Sequence, residues 1–339
     1  MNTILSNSTL NNLLKDYEKK KYNAELNFEK EKTSFYASNP ELSEINDKLG
    51  KLALNISKAV LKKDDELIDK LRKEFNELKQ KKEDMLKSSD VPLSAKEPIY
   101  ECPICKDTGF IVDGAGKNSL CNCIKQKMFD IDFNKSNIGN LEKENFDNFS
   151  FDLYSDEINE QKYRAKISPR QNIANVKDIA LKFVENFDNP EEKNLLFTGN
   201  TGLGKTFLSN CIAKEILSQG KTVLYQTAPI MLDNIIDDRF GKSDYTAVYK
   251  NIINVDLLII DDLGAEVSNQ YKIAELFNII NARLLTPNGR VTKTIISTNL
   301  SMQNIMDTYH ERIFSRLASY YNICRFFGDD IRLAKLLQK

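Results

Sequence analysis

The chain has 339 residues, enough for two or three domains, and 41% of them are hydrophobic. Its 48 Lys and Arg against 49 Asp and Glu leave a formal charge of -1, so no chain-wide basic excess points to nucleic acid and any DNA contact must come from a local patch. Met1 to Leu14 lacks the basic region and apolar run of a signal peptide, and no apolar stretch approaches the roughly 18 residues of a membrane helix. A cytoplasmic, membrane-free protein is therefore expected, in which the six cysteines do not form a disulfide framework.

Residues 1–97 are rich in Lys, Glu, Leu and Asn. Leu10, Tyr17, Ala24, Phe28 and Phe35 follow seven- and four-residue steps, and Leu61, Ile68, Leu71, Phe75, Leu78 and Met85 follow seven-, four- and three-residue steps. That spacing lays one apolar stripe along each helix. It predicts two or three long helices, broken near Asn39-Pro40 and around Lys63–Glu66, forming a helical hairpin or short antiparallel coiled coil. Such a region is either a spacer or a docking module that shows a helix face to a partner protein.

Residues 98–127 carry Cys102-Pro-Ile-Cys105 and Cys121-Asn-Cys123. Two tight turns on either side of a hairpin over 110–120 allow four thiolates to close a tetrahedral Zn²⁺ site. Four sulfurs leave no open position, so zinc held there is structural. A redox pair or unliganded cysteines are the alternatives, and no ferredoxin-like spacing supports an iron–sulfur cluster. Cys211 and Cys324 read as small buried hydrophobes. Residues 128–145 read as a polar linker.

From Phe146 onward strands alternate with helices, with strands expected at 195–198, 222–226, 256–260, 293–298 and 323–327. The first strand runs into Gly199-Asn200-Thr201-Gly202-Leu203-Gly204-Lys205-Thr206, a full match to G-x-x-x-x-G-K-[ST]. Glycines let the backbone close on phosphate oxygens, and N–H groups at the start of the following helix point at the anion. Lys205 reaches the β- and γ-phosphates, and Thr206 offers a hydroxyl to Mg²⁺. About 55 residues on, the apolar run Leu257–Ile260 ends in Asp261-Asp262. Asp261 is placed to orient Mg²⁺, and Asp262 to polarise the attacking water. The strand Thr294–Thr298 ends at Asn299, a candidate for holding that water, unless the strand simply ends in turn residues. Arg312 and Arg316 stand four apart on one helix face, from which Arg316 can reach a neighbouring subunit's nucleotide; Arg332 can approach the phosphates from its own chain. Surface salt bridges are the alternative for each. Arg283 is equally consistent with a structural role, and His310, the single histidine, has no partner at telling spacing.

With these motifs in this order, the chain resembles the AAA+ ATPases, and among them the bacterial replicative-helicase loaders of the DnaC/DnaI type. Phe146–Phe151, Leu258–Gly264 and Ile296–Leu300 carry the likeness, and the cysteine module resembles that of the zinc-bearing loaders. The resemblance implies an α/β P-loop domain over 146–339, with a parallel sheet flanked by helices. Before it stand a zinc module at 98–127 and a helical docking domain at 1–97. It implies ATP, Mg²⁺ and Zn²⁺ as cofactors, and slow hydrolysis, because Asp262 stands where many related ATPases carry Glu. It implies a hexameric replicative helicase and single-stranded DNA as partners, self-association through the ATPase domain, Arg316 as an arginine finger and Arg332 as a second sensor. Lys242, Tyr245, Tyr249 and Lys250 offer mixed basic and aromatic character, consistent equally with single-strand contacts and with solvated surface. The nucleotide motifs are shared with transposition helpers of the IstB type, which stay open as the alternative. So does an ATP-switched adaptor with little turnover.

Overall fold

The computed structural model describes residues 7–88, 91–112, 116, 118–132, 141–239, 245–267, 269–285 and 290–332. Packing divides the chain into two compact units, residues 11–119 and residues 120–339 together with the first ten.

The first unit is led by α1 (Asn7–Ser38), α2 (Pro40–Lys62) and α3 (Asp65–Ser88). Both breaks fall where expected. Pro40 sits in the first turn of α2, where its missing N–H is no loss. Lys63 ends α2 in a left-handed turn (φ 58°), and the N–H groups of Lys63 and Asp64 close on the carbonyls of Val60 and Ala59. The stripe of α2 buries Leu42, Ile45, Leu49, Leu52 and Ala59. Lys81 reaches Glu41 and Lys82 reaches the Asn46 side chain, so the end of α3 lies beside the start of α2 in an antiparallel hairpin. The short α4 (Leu93–Lys96) follows, then the paired strands β1 (Phe110–Val112) and β2 (Asn118–Leu120).

In the second unit α5 spans Asn122–Asp132. Its last turn takes residues 128–132 out of the expected linker, because Ile124, Met128 and Phe129 share one face and are buried; residues 133–140 lie outside the described residues. The elements that follow are α6 (Glu160–Tyr163), α7 (Pro169–Glu185), β3 (Asn194–Thr198), α8 (Lys205–Ser218), β4 (Val223–Thr227), α9 (Ala228–Arg239), α10 (Tyr245–Asn254), β5 (Leu257–Leu263), α11 (Gln270–Leu284), β6 (Lys293–Thr298), α12 (Met302–Tyr320) and β7 (Tyr321–Arg325). The strands stand in the order β4-β5-β6-β3-β7, each pair parallel. One strand, β6, separates the strand before the phosphate loop from the Asp-Asp strand. This is the AAA+ P-loop arrangement expected from the motifs.

Strand alternation builds two cores. Leu195, Phe197, Val223, Tyr225, Leu257, Ile259 and Ile295 face α7 and α8. Their neighbours Leu196, Leu224, Leu258, Ile260 and Ile296 face α9, α11 and α12. The outer edge of β4 is met by α5: the Gln126 side chain accepts from the Val223 N–H (2.7 Å) and donates to the Val223 carbonyl (3.0 Å).

Where the strands begin, polar groups are tied to backbone. Arg283 is structural. It donates to the carbonyls of Ile252, Ile253 and Val255 at the end of α10, to those of Asp256 and Lys293, and to the Thr294 hydroxyl. Asp256 accepts from the Thr222 N–H and hydroxyl and from Arg290. Inside α12, His310 departs from the helix (φ 66°, ψ 165°) and kinks it, a conformation that strains a residue with a Cβ.

Candidate nucleotide site

Strand β3 delivers the chain into the loop over 199–204, and α8 starts at Lys205 with Gly204 as its cap (φ 90°) and no side chain capping it. The first-turn N–H groups of α8 thus have no intrahelical acceptor and are available to an anion. Glycine is required by close approach as well as by φ. A Cβ on Gly204 would stand 2.5 Å from the Tyr154 hydroxyl, and one on Gly202 would stand 2.1 Å from the Asp330 carboxylate. Tyr154 also donates to the Leu203 carbonyl (3.0 Å), and the Ile331 N–H to that of Gly202 (2.9 Å), so the loop is held from two sides.

The structure brings most of the expected residues together. Lys205 donates to the carbonyls of Gly199 (2.6 Å) and Asn200 (2.7 Å) and to Asn299 Oδ1 (2.7 Å), joining the loop to the end of β6. The Thr206 hydroxyl donates to Asp261 Oδ2 at 3.0 Å. Hydroxyl and carboxylate oxygens side by side are the hard donors that suit Mg²⁺. Asp262 turns out of the sheet in a left-handed conformation (φ 54°), at a register shift between β5 and β6. It lines a cleft of about 310 Å³ together with Thr201, Gly202, Leu203, Gly204, Lys205, Thr206, Asn299 and Arg332.

Burial is the main force on the charges here. It holds Lys205 below the usual lysine range, against the pull of Asp262 and Asp261. It also raises the Asp262 carboxyl, assisted by the Asp261 charge and opposed by Lys205 and Arg332. The far end of the cleft is aromatic. Phe149 stacks against Tyr154 (6.5 Å) and meets Phe207 edge-on (5.9 Å), and Lys177 lies 5.1 Å from the Phe149 ring. Phe149 comes from the entry segment at 146–151, whose three phenylalanines all pack on the first core; Phe149 alone of them lines the cleft.

Arg316 lies elsewhere. Its Nε donates to Asn281 Oδ1 on α11 (2.9 Å), its guanidinium stands 6.0 Å from the Tyr320 ring, and it does not line the described cleft. Of the residues with basic and aromatic character, Lys242 and the Tyr245 side chain lie outside the described residues. Tyr249 is half-buried against the second core, and Lys250 is exposed.

Four site residues escape sequence reasoning: Tyr154, Asp330, Tyr225 and Ser297. The last two donate hydroxyl hydrogens to Asp261 from β4 and β6. A hydroxyl inside an apolar strand reads as ordinary core, and the cross-strand register that aims it is not visible in one sequence.

The four Sγ atoms of Cys102, Cys105, Cys121 and Cys123 lie within 4.8 Å of one another. That spacing fits sulfurs each about 2.3 Å from one zinc ion. The turn after Cys102 is shaped for it. Lys106 and Asp107 take positive φ (50° and 54°), and the Asp107 carboxylate accepts from the N–H groups of Glu101 and Cys102. Cys121 immediately precedes α5 and Cys123 lies in its first turn, where the helix dipole favours thiolates. Burial pushes the thiols of Cys211 and Cys324 up to about 12, so both behave as inert core groups.

Among the described residues no helix is long and apolar enough to cross a membrane. The replicative helicase loader DnaC of Escherichia coli K12 is 28% identical over 139 residues, 41% of this chain and 55% of that protein. A putative insertion sequence ATP-binding protein of Sinorhizobium fredii is 28% identical over 144 residues, covering 41% and 56%. The chain thus spans about half the length of the relatives it matches. A crystal structure of the DnaC helicase loader superposes with a TM-score of 0.41 at 24% identity, over 52% of this chain and 96% of that one. The family described as IstB-like ATP binding protein matches residues 154–333, just over half of the chain, and the chain belongs to that family.

Proposed function

We propose that the chain is an ATP-hydrolysing loader of the replicative DNA helicase onto single-stranded DNA. The observation that carries the ATPase part is the meeting of Lys205 with Asn299 and of Thr206 with Asp261. The loader part draws its support from the relatives named DnaC and from the helical unit and cysteine cluster attached to the ATPase.

The phosphates lie along the first turn of α8, with the Lys205 ammonium exchanging a carbonyl for a phosphate oxygen. Thr206 and Asp261 would hold Mg²⁺, which would supply neutralisation of the charge developing on the phosphates. Asn299 orients water at the γ-phosphate, and Asp262 takes its proton. The raised Asp262 carboxyl makes this side chain a better proton acceptor than an ordinary Asp. Arg332 meets the phosphates from its own chain. Arg316 serves the site of a neighbouring protomer once assembly draws it from Asn281. Cys102, Cys105, Cys121 and Cys123 hold one structural zinc, and α1–α3 grip the helicase.

Co-purification with the host's replicative helicase in ATP and in ADP tests the loader reading. Nucleotide-dependent capture is expected for the parent, with capture lost in Lys205→Ala, whose nucleotide affinity should fall about 100-fold. Binding to a transposase in place of the helicase establishes the IstB-type reading, which the family match and the insertion-sequence relative favour. Elemental analysis checks the metal: about one zinc per chain, absent from Cys102→Ser.

A further inference from the structure

We propose that Tyr225 and Ser297 are positioning residues that fix the Asp261 carboxylate for the divalent cation of bound nucleotide. The inference rests on the nucleotide reading of the cleft and adds two residues to it.

Strand periodicity supplies the geometry. Asp261, Tyr225 and Ser297 sit on neighbouring strands at odd-numbered positions, the positions that face α8. Ile260 stands opposite Ile296, so Asp261 comes beside Ser297 just before the register shifts. The carboxylate is buried and each of its oxygens has two donors. Oδ2 accepts from the Thr206 and Tyr225 hydroxyls; Oδ1 accepts from the Ser297 hydroxyl and from the Asp262 N–H at 3.1 Å. The same N–H approaches Ser297 Oγ at 3.3 Å, so Ser297 also steadies the residue assigned to take the proton.

A buried carboxylate needs donors, but one at the end of a strand could take them from backbone and solvent. Here they come from both flanking strands and from the phosphate-loop helix, which removes rotation about the Asp261 side-chain bonds. Groups that orient a metal-binding carboxylate typically matter 10- to 100-fold in metal affinity.

The test follows binding of a fluorescent ATP analogue while Mg²⁺ is titrated, with Mn²⁺ and its spin-resonance line shape as a second probe of the cation. For Tyr225→Phe and Ser297→Ala the half-saturating Mg²⁺ concentration should rise about 10-fold, with metal-free nucleotide affinity within about twofold of the parent. Ser297→Thr, which keeps the hydroxyl, should restore the parent's Mg²⁺ dependence. Variants with lowered melting temperature but the parent's Mg²⁺ curve and Mn²⁺ spectrum would show that the hydroxyls merely satisfy the core, overturning the positioning role alone. If Tyr225→Phe does not fold, the serine pair decides by the same criteria. A parent protein that binds nucleotide with no Mg²⁺ dependence overturns both this role and the reading of the cleft.

Discussion

Where the strands of the parallel sheet begin, Arg283 ends on five backbone carbonyls and a threonine hydroxyl. Where they finish, Lys205 and Asp261 bond to groups that a ligand can displace or share. Both ends bury charge; they differ in the freedom of the partners. Carbonyls at the end of α10 cannot move without unwinding the helix, so Arg283 is a rivet. Side chains on a loop and on two strand ends can trade one partner for another while the sheet stays intact. The acids follow the same division. Burial works to raise Asp256, but Thr222 and Arg290 outweigh it and hold the carboxyl below the usual range. At Asp262 burial and the Asp261 charge outweigh Lys205 and Arg332, and the carboxyl is raised.

Asp262→Asn breaks the working end most directly. ATP turnover should fall about 10²- to 10⁴-fold with nucleotide affinity kept, as read by phosphate release and by analogue binding. The raised carboxyl also means that the fold disfavours ionised Asp262. Stability is therefore lost as pH rises through its folded pKa, and the Asn variant should melt no lower than the parent at neutral pH. The acid limb of the parent's rate profile should lie above the ordinary Asp range.

Arg283→Met should show the reverse pattern. Each buried carbonyl left without a donor costs about 1–3 kcal/mol, so a loss of at least about 3 kcal/mol in urea unfolding is expected. Protein that remains folded should bind nucleotide as the parent does. An Arg283→Met protein that is stable but inactive would erase the distinction between the two ends.

The smallest effect belongs to Asp256→Asn, about 1.5–3 kcal/mol at neutral pH. Because its carboxyl is depressed in the fold, the stability it contributes is complete above the unfolded value near 3.9 and is lost as pH falls through the folded one. Urea midpoints of parent and variant should differ at pH 7 and converge in strong acid.

The sheet and the phosphate loop were legible because they follow short-range rules. Apolar runs marked all five strands to within about three residues at either end, and Asn39-Pro40 marked a helix boundary. What escaped depends on pairing across the chain. Tyr225 and Ser297 lie 36 residues on either side of Asp261, and only the register of three strands turns them toward it. Helix α5 was missed for a different reason: the polar residues around it hid Ile124, Met128 and Phe129, whose spacing was the available signal. Arg283, undecided from sequence, became a rivet only once α10 ended beside it. The kink at His310 has no local signature, as neither Pro nor Gly stands there.

The Gln126 contact with Val223 bears on where the ATP-binding unit can be cut. A side-chain amide carries the same donor and acceptor as a peptide unit, so Gln126 acts as a one-residue extra strand that ends the ladder at β4. A fragment starting after Asp132 would bare that rung and open the seat of Phe129 beside it. Fragments of this kind should self-pair and precipitate, whereas those that keep residues from Cys121 onward should stay dispersed.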